Sequence, residues 1–309
     1  MPVDLTAAIC TWNRSGMLRR TLESVSALSP PTGVEWEVVV VDNNSTDDTA
    51  AVLREFTDRL PLRAVLEPTQ GTVVARNRAV REARGALVVW TDDDVQLDPG
   101  WLAAYAEAAR LHPEAGFFGG PIDPWFEGDP PRWLEASIPK IWDAFAVVAD
   151  VTDTPILPSH RRIPLNANLA VRRDLHDRYP YDPKLGHRAD RPMGGEETAM
   201  LRAMLADGIT GRWVPGARVR HYIPRARQTP EFVRRYYGGL GRALARRGQK
   251  RADPSLLGRP LWLWRQALRY ELRYRVRHLL GAGDGWVEDL RWAALSWGQI
   301  AGHGEGDTA

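Results

Sequence analysis

The chain of 309 residues is long enough for one large domain, or one domain with an extension, around a sizeable core. At 44% apolar and 26% charged it is ordinary for a soluble globular protein, and a net charge of +2 gives no whole-chain reason to expect nucleic acid. Cys10 is the only cysteine, which excludes an intrachain disulfide and fits a reducing compartment.

Residues 5–10 read as a strand, and 17–28 as a helix from the spacing of Leu18, Leu22, Val25 and Leu28. Glu37-Val38-Val39-Val40-Val41 is a near-continuous β-branched run, the pattern of a strand buried on both faces of a parallel sheet. Ser45-Thr46-Asp47-Asp48 supplies cap chemistry for a helix reaching about residue 59. A strand over 62–66, a helix over 72–84 and a strand over 86–90 continue the β-α-β alternation. Pro99 is expected in the first turn of another helix, and 116–119 begins a further strand. The alternation predicts an α/β fold, a doubly wound sheet with helices on both faces, whose ligands bind beyond the carboxyl ends of its strands.

From Pro121 to Pro192 the pattern weakens. Eleven prolines and three tryptophans (Trp125, Trp133, Trp142) predict long ordered loops with short helices. Residues 166–172 have the pattern of one more strand, 196–206 of a helix and 211–214 of a short strand. Beyond about residue 229 the chain reads as helical, rich in arginine and aromatics, with a polar tail. Charge is unevenly spread, with eleven Arg or Lys residues between Arg218 and Arg251 against one acid, Glu231. No run approaches ~18 uninterrupted apolar residues, and no basic stretch followed by an apolar one opens the chain, so a cytoplasmic location is the expectation.

The most informative segment is Thr91-Asp92-Asp93-Asp94-Val95, directly after the apolar run 86–90. Three adjacent carboxylates at a strand end repel one another unless a cation or solvent screens them. Mg²⁺ and Mn²⁺ take oxygen ligands and share their shell with substrate phosphates. The triplet therefore points to a divalent cation held against a diphosphate. An acidic loop that caps the next helix is the plain alternative, and the rest of the chain weighs against it.

Five segments fall at or near strand ends and should meet in one crevice: Thr11-Trp12-Asn13-Arg14, Asp42-Asn43-Asn44-Ser45, Gly71 through Arg76-Asn77, Asp92-Asp93-Asp94, and Gly194-Gly195-Glu196-Glu197. In order and content they resemble the inverting, family-two glycosyltransferases, which use nucleotide-sugar donors on a GT-A fold. That family opens on a strand ending in T-x-N-R. Its second strand ends in V-D-D/N-x-S-x-D-x-T, and a G-x-x-x-A-R-N helix leads into the acidic cluster. The likeness runs over about 3–120 and resumes at about 163–230.

The resemblance implies a GT-A nucleotide-sugar domain over 1–228, with a donor half to residue 120 and an acceptor half after it. Residues 229–309 then form a basic, aromatic-rich helical extension. It gives Thr11, Asn13, Arg14, Asp42, Arg76, Asp92 and Asp93 to the donor nucleotide and its diphosphate. Asp42 would read the base, with an Asx-turn as its structural alternative. The second carboxylate usual after it is replaced by Asn43, which leaves the base open. Asp92 is assigned to the ribose and Asp94 to Mn²⁺ or Mg²⁺, with Asp93 able to replace either. His221 is expected to follow the last strand and to complete the metal shell. Glu197 is favoured as the base that deprotonates the acceptor, with Glu196 as a hydroxyl partner, and their order stays open. Arg225 and Arg227, with Gln228 nearby, suit a basic lid. A tryptophan of the irregular segment is better read as packing than as a sugar platform.

The implied reaction moves a sugar from a nucleoside-diphosphate donor, UDP-sugars being the most frequent, to a glycan, lipid-linked, peptide or small-molecule acceptor. A sugar-phosphate nucleotidyltransferase would carry a Gly-rich basic stretch after the first strand, where this chain has Thr11-Trp12-Asn13-Arg14. A non-catalytic nucleotide-sugar-binding protein would have no use for acids at both 92–94 and 196–197. The helix from Leu261 to Leu280 interleaves apolar residues with five arginines, a pattern open to packing, homo-oligomer formation or contact with an anionic membrane.

Overall fold

The computed structural model describes residues 4–30, 32–186, 195–247, 255–281 and 283–302. Gly194 of the expected glycine–glutamate segment and residues 303–309 of the polar tail lie outside them. The first part of the chain is β1 (Leu5–Thr11), α1 (Ser15–Ser26), β2 (Trp36–Asp42), α2 (Thr49–Thr57), β3 (Leu62–Leu66), α3 (Thr72–Glu82) and β4 (Leu87–Asp92). This is the alternation the sequence predicts. Val38, Val39, Val40 and Val41 have no exposed surface, as a β-branched strand covered on both faces requires.

β1 pairs in parallel with β2 on one side and with β4 on the other. The main sheet runs β3-β2-β1-β4 and continues with β9 (Leu169–Arg172), β6 (Phe117–Gly119), β10 (Gly211–Trp213) and β8 (Pro155–Ile156). β9 is antiparallel to both its neighbours, so the sheet is mixed. Right-handed crossovers place α1 and α2 on one face and α3 on the other, because the chain winds outward to β3 and then returns past β1 to β4. The winding reverses between β1 and β4, where a crevice opens beyond the strand ends. Thr11 lies opposite Asp42, and Cys10 opposite Asp92, at that edge.

Immediately after the aspartates comes β5 (Val95–Leu97), a strand absent from the expectation. It forms a second, three-stranded sheet in the order β5-β11-β7, with β7 (Ile122–Phe126) and β11 (Val219–Ile223). His221 follows the strand expected over 211–214, as the sequence predicts, but lies inside a further strand, β11, paired with Val95. α4 (Trp101–Leu111) begins after Pro99, which lies outside its first turn. Asp98 is the reason: its side chain accepts the Gly100 N–H and its carbonyl the Trp101 N–H, which uses up 98–100 in a turn.

Between residues 121 and 186 the structure has more order than loops and short helices. It contains β7, α5 (Arg132–Ile141), β8, β9 and α6 (Arg173–Arg178). β7 and β8 both contain proline and both sit at sheet edges, the one place a residue without an N–H is tolerated in a ladder. Residues 166–172 divide into a short 3₁₀ turn and β9. Asn168, at the end of that turn, is a buried hub. Its Oδ1 accepts from Trp101 Nε1 (2.8 Å) and Tyr105 OH (2.7 Å), while its Nδ2 donates to the carbonyls of Pro121 and Ala217. α7 (Glu196–Ala206) has the bounds the sequence predicts.

The chain forms two compact units. The first takes the described residues of 1–125 and 148–222, the second those of 126–147 and 223–309. The second unit contains α5, α8 (Pro230–Arg247), the short β12 (Ser255–Leu256) and β13 (Arg259–Pro260), α9 (Leu261–Leu279) and α10 (Gly285–Gly302). Its core joins Leu134, Ile138, Ile141 and Phe145 to Val233, Tyr237, Trp286 and Leu290. Trp133 packs on this core, 5.1 Å from the Trp286 ring, as the packing expectation has it. α8 and α10 approach so closely that a Cβ on Gly298 would run into the Gly238 carbonyl, and one on Gly241 into that of Leu295. Gln228 is buried and donates to the carbonyls of Glu127 and Ile223, so its amide serves the fold of this unit rather than a lid. No described helix is long and apolar enough to cross a membrane.

Candidate active site

The site grows from the carboxyl ends of β1 and β4. After β1 the backbone enters the left-handed region at Asn13 (φ 51°), which asparagine tolerates better than most residues. The Asn13 side chain then accepts the Thr46 N–H at 2.7 Å, tying the β1 turn to the loop after β2. This turn aims Arg14 at the aspartates. Its Nη1 lies 3.0 Å from Asp93 Oδ1 and 2.8 Å from Asp94 Oδ2. Thr11 donates its hydroxyl to the other oxygen of Asp93 at 2.7 Å, and Thr21 donates to the Asp93 carbonyl at 2.9 Å. Asp93 is thus held by the protein on every side, and burial raises its carboxyl to about 6 even with Arg14 beside it.

The three aspartates point to different environments. Asp92 is the open one, with 40% of its side chain exposed against 7% for Asp93 and 10% for Asp94. Asp94 Oδ1 faces His221 Nε2 at 3.5 Å, and the Tyr222 N–H bonds the Asp94 carbonyl. β5 and β11 therefore bring the carboxylate and the imidazole together across a ladder. A carboxylate and an imidazole at that spacing suit one Mn²⁺ or Mg²⁺ ion. Among the described residues no group of three His, Cys, Asp or Glu side chains could hold a metal. Asp94 and His221 would supply two protein ligands to such an ion, which would leave its other positions to phosphate oxygens and water.

Arg76 joins the two acidic groups. It sits on α3, which starts after Gly71, and it is buried. Its Nη2 is 3.7 Å from Asp92 Oδ1, and its Nη1 forms an ion pair with Glu196. Asn166, with its amide oxygen turned to the guanidinium, accepts from Arg76 Nη1 at 2.7 Å and donates to Tyr181 OH. Asn77, one residue on, is bound to the Tyr181 backbone through both amide atoms. α7 delivers the glutamates. Gly195 precedes it with φ 113°, a conformation that favours glycine, and Glu196 and Glu197 fill the first turn.

The two glutamates differ in surroundings. Glu196 is buried on Arg76, and its Oε2 has no hydrogen-bond partner among the described residues. Loss of water and the neighbouring Glu196 charge raise the Glu197 carboxyl to about 7, against the pull of Arg76. A carboxyl at that value can take up or release a proton near neutrality. Cys10 is no nucleophile here, since burial pushes its thiol up to about 12. Asp42, at the end of β2, accepts the Ser45 N–H at 2.9 Å, the turn-capping role that is its structural alternative. Asn13, Arg14, Arg20, Asp47 and Tyr222 line an open cavity of about 450 Å³, within the size range of ligand pockets.

Arg14, Asp92, Asp93, Asp94 and His221 are thus joined by direct contacts to one another or through Arg76 to Glu196. Thr11 and Asn13 act on the protein itself, and Asp42 lies one strand away from Thr11. Sequence reading missed Thr21, Asn166 and Tyr181. Their partners lie 72 or more residues away for Thr21 and 104 for the Tyr181 backbone, so no local pattern marks them.

This cluster lies at the switch point of a mixed α/β sheet, where open α/β folds bind their ligands. Residues 6–177, more than half of the chain, match the family model of glycosyl transferase family 2, and the chain belongs to that family. Validoxylamine A glucosyltransferase of Streptomyces hygroscopicus subsp. jinggangensis is 38% identical over 112 residues, 34% of this chain but only 26% of that protein. The uncharacterized glycosyltransferase YwdF of Bacillus subtilis is 28% identical over 184 residues, 58% of this chain and 62% of that one. The structure of S. aureus TarS 1-349 in complex with UDP superposes with a TM-score of 0.53 at 17% identity, over 97% of this chain and 91% of that one. The mannosyltransferase PcManGT of Pyrobaculum calidifontis, in complex with GDP-Man and Mn²⁺, gives 0.52 at 22% identity, over 97% and 76%. These likenesses establish the GT-A-like fold.

Proposed function

We propose that the protein is a metal-dependent, inverting glycosyltransferase that moves a sugar from a nucleoside-diphosphate donor to an acceptor hydroxyl. The observation that carries this reading is the single guanidinium of Arg76, which links Asp92 of the acidic triplet to Glu196 of the glutamate pair. A nucleotide-binding edge and a proton acceptor thereby share one crevice. Glu197 is the base: Glu196 is neutralised by Arg76, while Glu197 holds its proton up to about 7. It takes the acceptor proton as the oxygen attacks the anomeric carbon from the face opposite the leaving diphosphate. Glu196 Oε2 offers a hydroxyl of donor or acceptor a buried acceptor atom.

Asp94 and His221 would hold Mn²⁺ or Mg²⁺, and Asp92 would accept from the ribose. When bound, the ion would neutralise the departing diphosphate. Arg14 and Arg76 add fixed positive charge where negative charge develops. The bound UDP and GDP-Man of the two structural neighbours support a nucleotide-sugar donor. UDP-sugars are our first choice, and the acceptor is a glycan, lipid-linked, peptide or small-molecule hydroxyl.

Incubating the purified chain with UDP-, GDP- and dTDP-sugars, with and without Mn²⁺, tests the reading. Nucleoside diphosphate should be released from at least one donor, in the presence of metal, and faster with the right acceptor. Binding of a donor with no release under any acceptor would make the protein a nucleotide-sugar-binding module instead.

A further inference from the structure

The second unit carries a face that the transfer chemistry does not use. α9 buries Leu263 and Ala267 against Ile300 of α10 and leaves its opposite side open. On that side Leu268, Leu272 and Leu279 are 58%, 65% and 86% exposed, and Val276 is 46% exposed. With Arg265 and Arg269 they occupy positions 265, 268, 269, 272, 276 and 279, the 3–4 spacing of one helical face. Arg265 and Arg269 are exposed and make no ion pair among the described residues. The other arginines are answered from within the unit: Arg273 and Arg277 by the buried Asp289, and Arg275 by Glu271, which also holds Arg234. Glu271 is the only acid between residues 261 and 280, so the open face has apolar and positive groups alone.

We propose that this face of α9 docks on an anionic lipid surface, lying in the plane of the headgroups with its leucines in the acyl boundary. Charge complementarity selects this occupant. A second copy of the same face, brought up by a two-fold axis, would set Arg265 and Arg269 against arginines with no acid to meet them. Nucleic acid would answer the arginines and leave the leucines in water. A layer of phosphate headgroups over hydrocarbon meets both. This inference is independent of the transfer reaction and stands or falls by itself.

Co-sedimentation of the full chain with vesicles of phosphatidylcholine, alone or mixed with phosphatidylglycerol, tests it. The chain is expected to pellet with the mixed vesicles, to stay in solution with phosphatidylcholine alone, and to be released from the mixed vesicles by salt. Arg265→Gln with Arg269→Gln should weaken vesicle affinity by about fivefold per arginine. Leu268→Ser with Leu272→Ser should weaken it by about tenfold. Both variants should keep the wild-type melting temperature, since the side chains are exposed. Equal binding to neutral vesicles, no binding, binding indifferent to salt, or wild-type binding by both variants would each overturn the proposal. So would a dimer in light scattering that the leucine variant dissociates, in a chain that ignores vesicles.

Discussion

Glu196 and Glu197 are adjacent, alike in chemistry and equally placed at a helix start, and one arginine separates their roles. Arg76 takes Glu196 into an ion pair and leaves Glu197 to be governed by its loss of water. Glu197→Gln removes the proposed proton acceptor with little change in shape, so kcat should fall by about 10²–10⁴ while donor binding persists. The pH profile should follow the same group. The transfer rate should rise about tenfold per unit below pH 7 and level off above it. Stability carries the opposite sign. The native carboxyl releases its proton near 7 and the unfolded one near the ordinary 4.5, so between those values the native state holds more protons. Stability contributed by this group falls as pH rises through that window, and the difference in denaturation midpoint between wild type and Glu197→Gln should shrink or reverse accordingly. The pair formed by Asp94 and His221 has its own readout. Asp94→Asn or His221→Ala should raise the Mn²⁺ concentration for half-maximal turnover by at least about tenfold. The aspartates and glutamates drew attention in the sequence because acid clusters are rare at strand ends and chemically loud. Thr21, Asn166 and Tyr181 were not, because a threonine, an asparagine and a tyrosine gain their roles only from distant partners.

Elements were legible where periodicity has one cause. β1 to β4 and their helices alternate apolar runs with 3–4 spacing, and the structure follows them to within a residue or two at most ends. β7 and β8 escaped notice because proline, which normally argues against a strand, is tolerated at the sheet edges they occupy. β5 escaped because three residues after an acidic triplet carry too little pattern, although its pairing with β11 is what brings His221 to Asp94. The pairing of α8 with α10 was equally hidden. Gly241 and Gly298 look like helix weakeners in sequence, yet each is the missing side chain that allows two backbones to touch. Gly298→Val would push a branched side chain into the Gly238 carbonyl, so one of the two backbones must shift. Overpacking of this kind costs about 1–3 kcal/mol. The expected result is a lower denaturation midpoint with an unchanged m-value, whereas Gly258→Val, with nothing near its Cβ, reports only the strain of its own backbone.

At the scale of the molecule, the sequence suggests a catalytic domain to residue 228 and a helical extension after it. The packing makes a different outcome testable. Residues 126–147 form one core with α8 and α10, although 75 residues of chain separate them from the rest of that unit. Leu134, Ile138, Ile141, Phe145 and Val147 are each at most 8% exposed within it. Burial of side chains of this size is worth about 1.5–3 kcal/mol apiece, so the five together amount to on the order of 10 kcal/mol. That is comparable with the whole net stability of an ordinary domain. A chain ended at Gln228 keeps α5 and loses every helix that covers it. It should therefore aggregate on expression, or, if recovered, bind a hydrophobic dye and melt without cooperativity. A truncated chain that stays monomeric, melts sharply and ignores the dye would mean that residues 126–147 find another cover, and the helices from 229 onward would then be an accessory in the folding sense as well. The charge pattern argues in the same direction as the packing. Three acids of this unit, Asp143, Glu271 and Asp289, are bound to Tyr237, Arg234 and the pair Arg273 and Arg277, so removing α8, α9 and α10 would also strip Asp143 of its tyrosine partners. A half-buried carboxylate deprived of its hydrogen bonds adds to the cost of the cut.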